Sequence, residues 1–323
     1  MSLQLETKPK AKLMVREDSS HFDLIIVGGG PAGLAAAIYA LRARIKTLLI
    51  EKMILGGLAS TTFQIENYPG FPDAISGLDL SQKMAEQAKK LGLNVLWANA
   101  VKVKTNKNLR EVETDGKSLT AKAVIIATGT EAARLGVPGE DTFIGKGVSF
   151  CATCDGPFYQ NKNVMVVGGG NSAVEEALFL TRYAKKVSII HRRDELRADR
   201  ILVEQAKSHP KIYFFWHSTV EAIHGEKNVS EVVVKDLVSG KKIKVAADGV
   251  FIYIGSKPNT ELVKDVVKLD ERGFILTDEK MKTSAPGIFA AGDVRVKHLR
   301  QVVTAVADGA IAADSAREFV EKA

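Results

Sequence analysis

Two copies of one strand–turn–helix–strand pattern, 140 residues apart, leave this 323-residue chain few ways to fold. The first copy opens with Asp23-Leu24-Ile25-Ile26-Val27, an apolar run of strand length. It turns through Gly28-Gly29-Gly30-Pro31-Ala32-Gly33 into a helical stretch from Leu34 to about Ala43. Thr47-Leu48-Leu49-Ile50-Glu51 is the second strand. This is G-x-G-x-x-G at a strand-to-helix turn. There the glycines let the backbone approach a pyrophosphate, and the helix N-terminus offers unpaired N–H groups and a positive dipole end. Shifted by 140, Gly28 falls on Gly168, Gly30 on Gly170, Arg42 on Arg182, Lys46 on Lys186 and Ile50 on Ile190, without a gap. Ala173 replaces the third glycine, an allowed variant. The repeat predicts an α/β chain with two Rossmann-like dinucleotide-binding domains.

The copies differ where such domains choose their ligand. Glu51, 21 residues beyond Gly30, stands where a carboxylate accepts from a ribose 2′-hydroxyl. Its counterpart is His191, followed by Arg192 and Arg193, with Arg197 a turn further on. A carboxylate repels a 2′-phosphate, whereas guanidinium groups clamp one. The first site therefore calls for a cofactor with a free ribose hydroxyl, and the second for NADP(H).

Both cysteines lie in Cys151-Ala152-Thr153-Cys154-Asp155-Gly156. Two cysteines in a chain this long make no disulfide framework, and no second Cys/His cluster completes a four-ligand zinc site. Two buried structural thiols remain possible on spacing alone. The paired nucleotide motifs favour a disulfide that opens and closes, with Asp155 next to it to move a proton.

The remaining pattern orders the domains. Residues 1–20 read as a polar tail and 56–72 as a loop, followed by a helix from Asp79 to about Leu91. Short strands follow near 95–97, 101–104 and 109–114, then an apolar strand Ala123–Gly129. Gly249–Gly255 resembles that strand at an offset of 126, Gly287–Asp293 is another apolar strand, and a last helix begins near Arg300-Gln301. We assign 21–132 and 248–323 to the first domain and 133–247 to an inserted second one.

The uncharged run Leu24–Leu41 is broken by Gly28-Gly29-Gly30-Pro31 and abutted by Asp23, which argues against a signal or membrane segment and for a reducing, cytoplasmic address. With 46% hydrophobic and 26% charged residues the composition is that of a soluble globular protein. The net charge of +7 has lysines and arginines spread along the chain, with no nucleic-acid motif. None of the six histidines has a metal-ligand spacing.

Taken together, Gly28–Gly33, Glu66-Asn67-Tyr68-Pro69-Gly70, Ala127-Thr128-Gly129, Cys151–Asp155, Gly168–Ala173, His191–Arg193, Gly292-Asp293 and Arg300-Gln301 resemble the low-molecular-weight thioredoxin reductases of bacteria and archaea. These are FAD-dependent pyridine nucleotide-disulfide oxidoreductases. The resemblance runs from Asp23 to the last helix. It implies two three-layer ββα domains, the NADPH domain inserted into the FAD domain. It implies FAD contacts from Gly28, Gly30, Pro31, Ala32, Gly33, Glu51, Gly57, Leu58, Asn67, Thr128, Gly129, Asp293, Arg300, Gln301 and Val302. For NADPH it implies Gly169, Gly170, Asn171, Ser172, Glu175, His191, Arg192, Arg193 and Arg197. Leu58 departs from the glutamine common in the family, so one polar contact near the flavin is missing or replaced.

The implied electron path runs from NADPH through FAD to a Cys151–Cys154 disulfide, with Cys154 facing the flavin and Asp155 as acid/base. It ends at thioredoxin or a thioredoxin-like protein, in a homodimeric enzyme. A glutaredoxin-like protein or a peroxidase is the alternative acceptor. Disulfide and nicotinamide compete for the same flavin, so the resemblance also implies rotation of the inserted domain. We place the hinges at Glu131–Arg134 and Ala246–Gly249. A ferredoxin-linked reductase is disfavoured by the Cys pair and the intact basic cluster. A nucleotide sensor has no need of Cys-x-x-Cys-Asp.

Overall fold

A computed structural model of the chain describes residues 20–62, 65–106 and 108–322. Except for Ser20, the expected tail lies outside the described residues. The first part runs β1 (His21–Val27), α1 (Pro31–Arg42), β2 (Thr47–Glu51), α2 (Gly77–Lys90), β3 (Asn94–Trp97), β4 (Ala100–Asn106), β5 (Leu109–Thr114) and β6 (Ser118–Ile126). After β7 (Thr130–Ala132) come β8 (Val148–Ser149), α3 (Ala152–Asp155), β9 (Asn163–Gly168), α4 (Asn171–Leu180), β10 (Lys186–Ile190), α5 (Arg200–Ser208) and β11 (Ile212–Phe215). The chain continues through β12 (Ser218–Gly225), β13 (Val229–Asp236), β14 (Lys242–Ala246) and β15 (Gly249–Tyr253). It ends with β16 (Ser256–Pro258), β17 (Ile288–Ala290) and α6 (Val302–Lys322).

The reason β1 reads as an unbroken apolar run is that both of its faces are covered. Strand side chains alternate, so Leu24 and Ile26 pack with α1, α2 and α6, while Ile25 and Val27 pack with Val103, Val112 and Leu119 of the β4–β6 layer. All four are at most 4% exposed, and burial of each such side chain contributes about 1.5–3 kcal/mol. The core of the first sheet is parallel, in the order β3-β2-β1-β6, and β5 and β4 extend it antiparallel. β17 pairs with the second half of β6, which brings Gly292 and Asp293 to the same end of the sheet as the Gly28 turn.

The second domain repeats the plan. Its sheet is parallel throughout, ordered β11-β10-β9-β15-β8. Val164 and Val166 face the helical layer, and Met165 and Val167 face the antiparallel β12-β13-β14 layer. Both domains thus have the three layers expected of them.

One boundary moves. β15 is hydrogen-bonded to β9 within the second sheet, so the return to the first domain comes after residue 253 and not at 248. Gly249–Gly255 resembles Ala123–Gly129 because β15 holds beside β9 the place that β6 holds beside β1. The likeness records equivalent positions in two domains, not continuity of one. The two crossings meet as an antiparallel pair, β7 with β16. Glu131–Arg134 overlaps this pair, whereas Ala246–Gly249 joins β14 to β15 inside the second domain. Among the described residues no helix is long and apolar enough to cross a membrane, and Leu24–Leu41 forms strand, turn and helix.

Phe251 is fully buried at the centre of the second sheet, with its ring 5.1 Å from that of Tyr159. Phe251→Ala should destabilise the protein by about 3–5 kcal/mol, measured as a lower urea midpoint. A loss below about 1 kcal/mol would contradict the core position of β15.

Candidate functional site

At the end of β1 the chain makes its sharp turn at Gly28, with φ +106°. A side chain there would overlap the carbonyl oxygen of Ala127. Gly30 precedes α1, no side chain caps that helix, and nothing stands within 4 Å of where a Cβ on Gly30 would point. The first turn of α1 is thus a positive helix end with no side-chain cap, suited to a pyrophosphate. The Glu51 carboxylate accepts from Gly29 N at 2.7 Å and from Met53 N at 2.8 Å. It fixes the glycine turn while keeping lone pairs for a ribose hydroxyl.

Opposite this turn, residues from three distant segments converge. Asn67 Nδ2 donates to Gln301 Oε1 at 3.2 Å across 234 residues of sequence. Val302 begins α6, whose N-terminus points into the same region. Asp293 follows β17, and its Oδ1 is buried with no hydrogen-bond partner among the described residues. Burial pushes this carboxyl above its usual range, opposed by the charges of Lys297 and Arg300. Arg300 itself lies over the Phe274 ring, 4.2 Å from its centroid. Thr128 and Gly129 are clamped by Asn259, whose side chain donates to Thr128 O at 3.0 Å and whose N–H donates to Gly129 O at 3.0 Å. Sequence reasoning passed over Asn259, a residue with no motif of its own. Leu58 is 60% exposed, so its side chain makes no buried contact that replaces a glutamine.

The second glycine turn leads into α4 in the same way, with Gly170 uncapped and open. The basic residues divide into two roles. Arg192, Arg193 and Arg197 are exposed, and among the described residues none of them pairs with a carboxylate. His191 is instead only 5% exposed and packs against Gly169, its Nε2 buried without a partner among the described residues. Burial, then the charges of Arg197, Arg193 and Arg192, push its imidazole below the usual range, so it is neutral. It stands as the floor of the site, beneath the Gly169 turn. Asn171 is likewise engaged, donating to Asp199 Oδ2 at 2.8 Å and accepting from Asp199 N at 2.9 Å. Ser172 and Glu175 are exposed on the first turns of α4. Though its surface is open, partial desolvation by its surroundings, then Asp199 and Glu66 of the other domain, push the Glu175 carboxyl up.

Cys151 and Cys154 form a disulfide, with Cα atoms 5.3 Å apart, on the short helix α3. Cys154 is exposed. Cys151 is half-buried, its Sγ accepting from Cys154 N at 3.1 Å and lying 4.0 Å from the Thr61 carbonyl oxygen of the first domain. In this arrangement Cys154 faces solvent. Behind α3 sits a polar cluster that the motifs did not reveal. Tyr253 OH accepts from Ala152 N at 2.7 Å, and among the described residues Thr153 Oγ1 and Glu176 Oε2 are buried without partners. Burial, reinforced by Glu175, raises the Glu176 carboxyl to about 7. The signal in the sequence was the pair Glu175-Glu176 on a helix whose other residues are mostly apolar.

Two nucleotide ends of opposite charge, on two domains of one plan, and a reducible disulfide on the second define a disulfide oxidoreductase. The family model described as pyridine nucleotide-disulphide oxidoreductase matches residues 22–309, and the chain belongs to that family. It is 48% identical to thioredoxin reductase of Listeria innocua over 302 residues, covering 93% of this chain and 94% of that one. A crystal structure of Lactococcus lactis thioredoxin reductase in the FR conformation superposes with a TM-score of 0.92 at 44% identity, over 94% of this chain and all of that one. Thioredoxin reductase from Streptococcus pyogenes, 46% identical, superposes with a TM-score of only 0.65, over 95% of this chain and 100% of that one. Within its family this chain is a low-molecular-weight thioredoxin reductase, a type that uses FAD and NADPH. The residues fit both cofactors. The buried Asp293 Oδ1 and the open end of α1 suit FAD, and the uncapped α4 with the exposed arginines beyond β10 suits NADPH.

Because the folded-state value of Glu176 lies above its unfolded one, its contribution is fully present below about pH 4.5 and is lost as pH rises through about 7. Glu176→Gln, neutral at every pH, should therefore gain stability over the parent at pH 8 relative to pH 5, by on the order of 1–3 kcal/mol. Urea unfolding at the two pH values measures this. Equal differences at both would show that Glu176 is ionised without penalty.

Proposed function

We propose that the chain is a homodimeric, cytoplasmic reductase that draws electrons from NADPH and delivers them through its Cys151–Cys154 disulfide to thioredoxin or a thioredoxin-like protein. What carries the reading is the exposed disulfide, in a chain whose two nucleotide ends differ in charge at one equivalent position. Ala32, Gly33, Glu51, Asn67, Asp293 and Gln301 would hold FAD, and Gly170 with Arg192, Arg193 and Arg197 would hold NADPH. When bound, NADPH supplies a hydride and FAD passes the electron pair on to a disulfide.

The chain's own groups manage the sulfur chemistry. Two electrons and two protons convert the Cys151–Cys154 bond to two thiols. Asp155, the last residue of α3 and next in sequence to Cys154, would hand over or take up a proton at the nearer sulfur. The Cys154 N–H directed at Cys151 Sγ favours a thiolate there. One thiolate then attacks the partner's disulfide, and the other cysteine displaces the reduced partner from the mixed disulfide. The Cys151–Cys154 bond is thereby restored.

Rotation of the second domain about the β7–β16 crossing fits this scheme. Two relatives of nearly equal identity superpose at 0.92 and 0.65. Such a gap is what one fold with two domain placements produces.

The test is turnover with purified thioredoxin, NADPH and NADH. Cys154→Ser should abolish thioredoxin reduction while NADPH still bleaches the flavin. Thioredoxin turnover by that variant, or a chain that never takes up a flavin, would overturn the reading. Arg192→Ala with Arg193→Ala should raise the KM for NADPH about tenfold or more and leave that for NADH nearly unchanged. Equal effects on both would remove the 2′-phosphate role.

A further inference from the structure

We propose that Lys297, with Asp308 and Arg295, supplies the countercharge and the backbone geometry that let the buried Asp293 serve the first nucleotide site. The inference rests on reading that site as the FAD site. It concerns three residues that no motif marks, and they act through Asp293 as positioning residues.

Asp308 lies one and a half turns into α6, with its side chain 9% exposed. Its Oδ2 accepts from Gly292 N at 3.1 Å and pairs with Lys297 Nζ at 2.8 Å. Arg295 Nη1 approaches the same oxygen at 3.4 Å, while Arg295 Nε donates to Thr277 Oγ1 at 2.8 Å. The Lys297 and Arg295 side chains are 6% and 13% exposed. Three formal charges are therefore shut in beneath one turn, and their sum is positive by one.

That turn is the one that aims Asp293. Gly292 has φ +80°, and a side chain on it would collide with Ala32, the residue that opens the α1 nucleotide end. The bond from Gly292 N to Asp308 therefore ties the Asp293 turn to α6 on one side, while close packing holds it to α1 on the other. The surplus positive charge has a natural counterpart in Asp293, whose buried Oδ1 has no hydrogen-bond partner among the described residues. The charged groups acting on Asp293 are Lys297, Arg300 and Asp308. Lys297 opposes the burial penalty most strongly, Arg300 less, and Asp308 adds to it. Arg300 is already committed to the Asp293 and Arg295 carbonyl oxygens, at 3.5 and 3.4 Å, and to the Phe274 ring.

A buried carboxylate accepts a hydroxyl hydrogen bond at full strength only while ionised, and removing its nearest cation leaves an uncompensated charge that titrates upward. Without Lys297, Asp293 should protonate at a higher pH, and FAD should be lost as pH falls. The sign separates this role from a structural one. A cation that only props up the turn would weaken FAD binding equally at all pH values.

The experiment titrates FAD into the apoprotein at pH 8 and pH 6, following quenching of flavin fluorescence, with thermal unfolding of each apoprotein alongside. The parent should bind FAD with Kd values within about threefold of each other at the two pH values. Lys297→Met should bind about tenfold or more weaker at pH 6 than at pH 8, and Lys297→Arg should restore the parent's ratio. Asp308→Ala, which removes the acceptor of Gly292 N–H, should weaken binding at both pH values by about fivefold or more. If Lys297→Met does not fold, Lys297→Gln provides the same ratio. A pH ratio in the neutral variant equal to the parent's overturns this proposal alone. A parent apoprotein that takes up no FAD at either pH overturns the FAD reading with it.

Discussion

In each domain the nucleotide turn hangs on the end of a central parallel strand that is covered on both faces, β1 in one and β9 in the other. Burial on both sides forbids any functional group within the strand, so chemistry is displaced to its carboxyl end. There the backbone must turn at once into a helix that covers one face. Gly28 and Gly168 make those turns against the carbonyls of Ala127 and Tyr253, the residues that follow or end the neighbouring strands. What remains is a helix start with no side-chain cap, and that deficiency suits an anionic ligand. A serine or aspartate in place of Gly30 or Gly170 would satisfy the helix and compete with the ligand for its N–H groups.

From two copies of one plan the protein makes two different sites by changing what lies at the second strand's end. Glu51 spends its oxygens on Gly29 and Met53 and presents a negative rim. In the second domain the equivalent His191 is turned inward beneath Gly169, and the positive rim is left to Arg192, Arg193 and Arg197. A buried neutral imidazole beneath three guanidinium groups is self-consistent, since the same charges that attract a phosphate keep His191 unprotonated.

The disulfide sits where the domains touch. Cys151 abuts Thr61 of the first domain, and Glu175 feels Glu66 across the same boundary. Its helix α3 is anchored from behind by Tyr253, the last residue of β15, whose carbonyl also abuts Gly168. One residue thus ties the redox helix to the nucleotide turn, and a rotation of the domain carries both together. Burial and the nearby Glu176 and Asp155 push the Tyr253 phenol upward, so it remains a neutral acceptor for Ala152 N–H throughout the working range.

Local order along the chain determined a good deal by itself. The glycine turns, the two apolar strands, the Cys-x-x-Cys helix and the acid-to-arginine exchange are all set by residues within about twenty positions of one another, so their periodicity and spacing were legible. The return crossing was not, because an apolar strand ending in glycine reads the same in either sheet, and only hydrogen bonding to β9 assigns Gly249–Tyr253. Nor were Asn259, Tyr253, Lys297 and Asp308, whose partners lie on other elements and whose own neighbours in sequence carry no signal. His191 and Asn171 were legible as site residues, but their inward roles depend on Gly169 and Asp199. Contacts within a turn or strand are written into the sequence as pattern. Contacts between elements exist only once the layers have packed, and it is packing that decides which buried charge faces which.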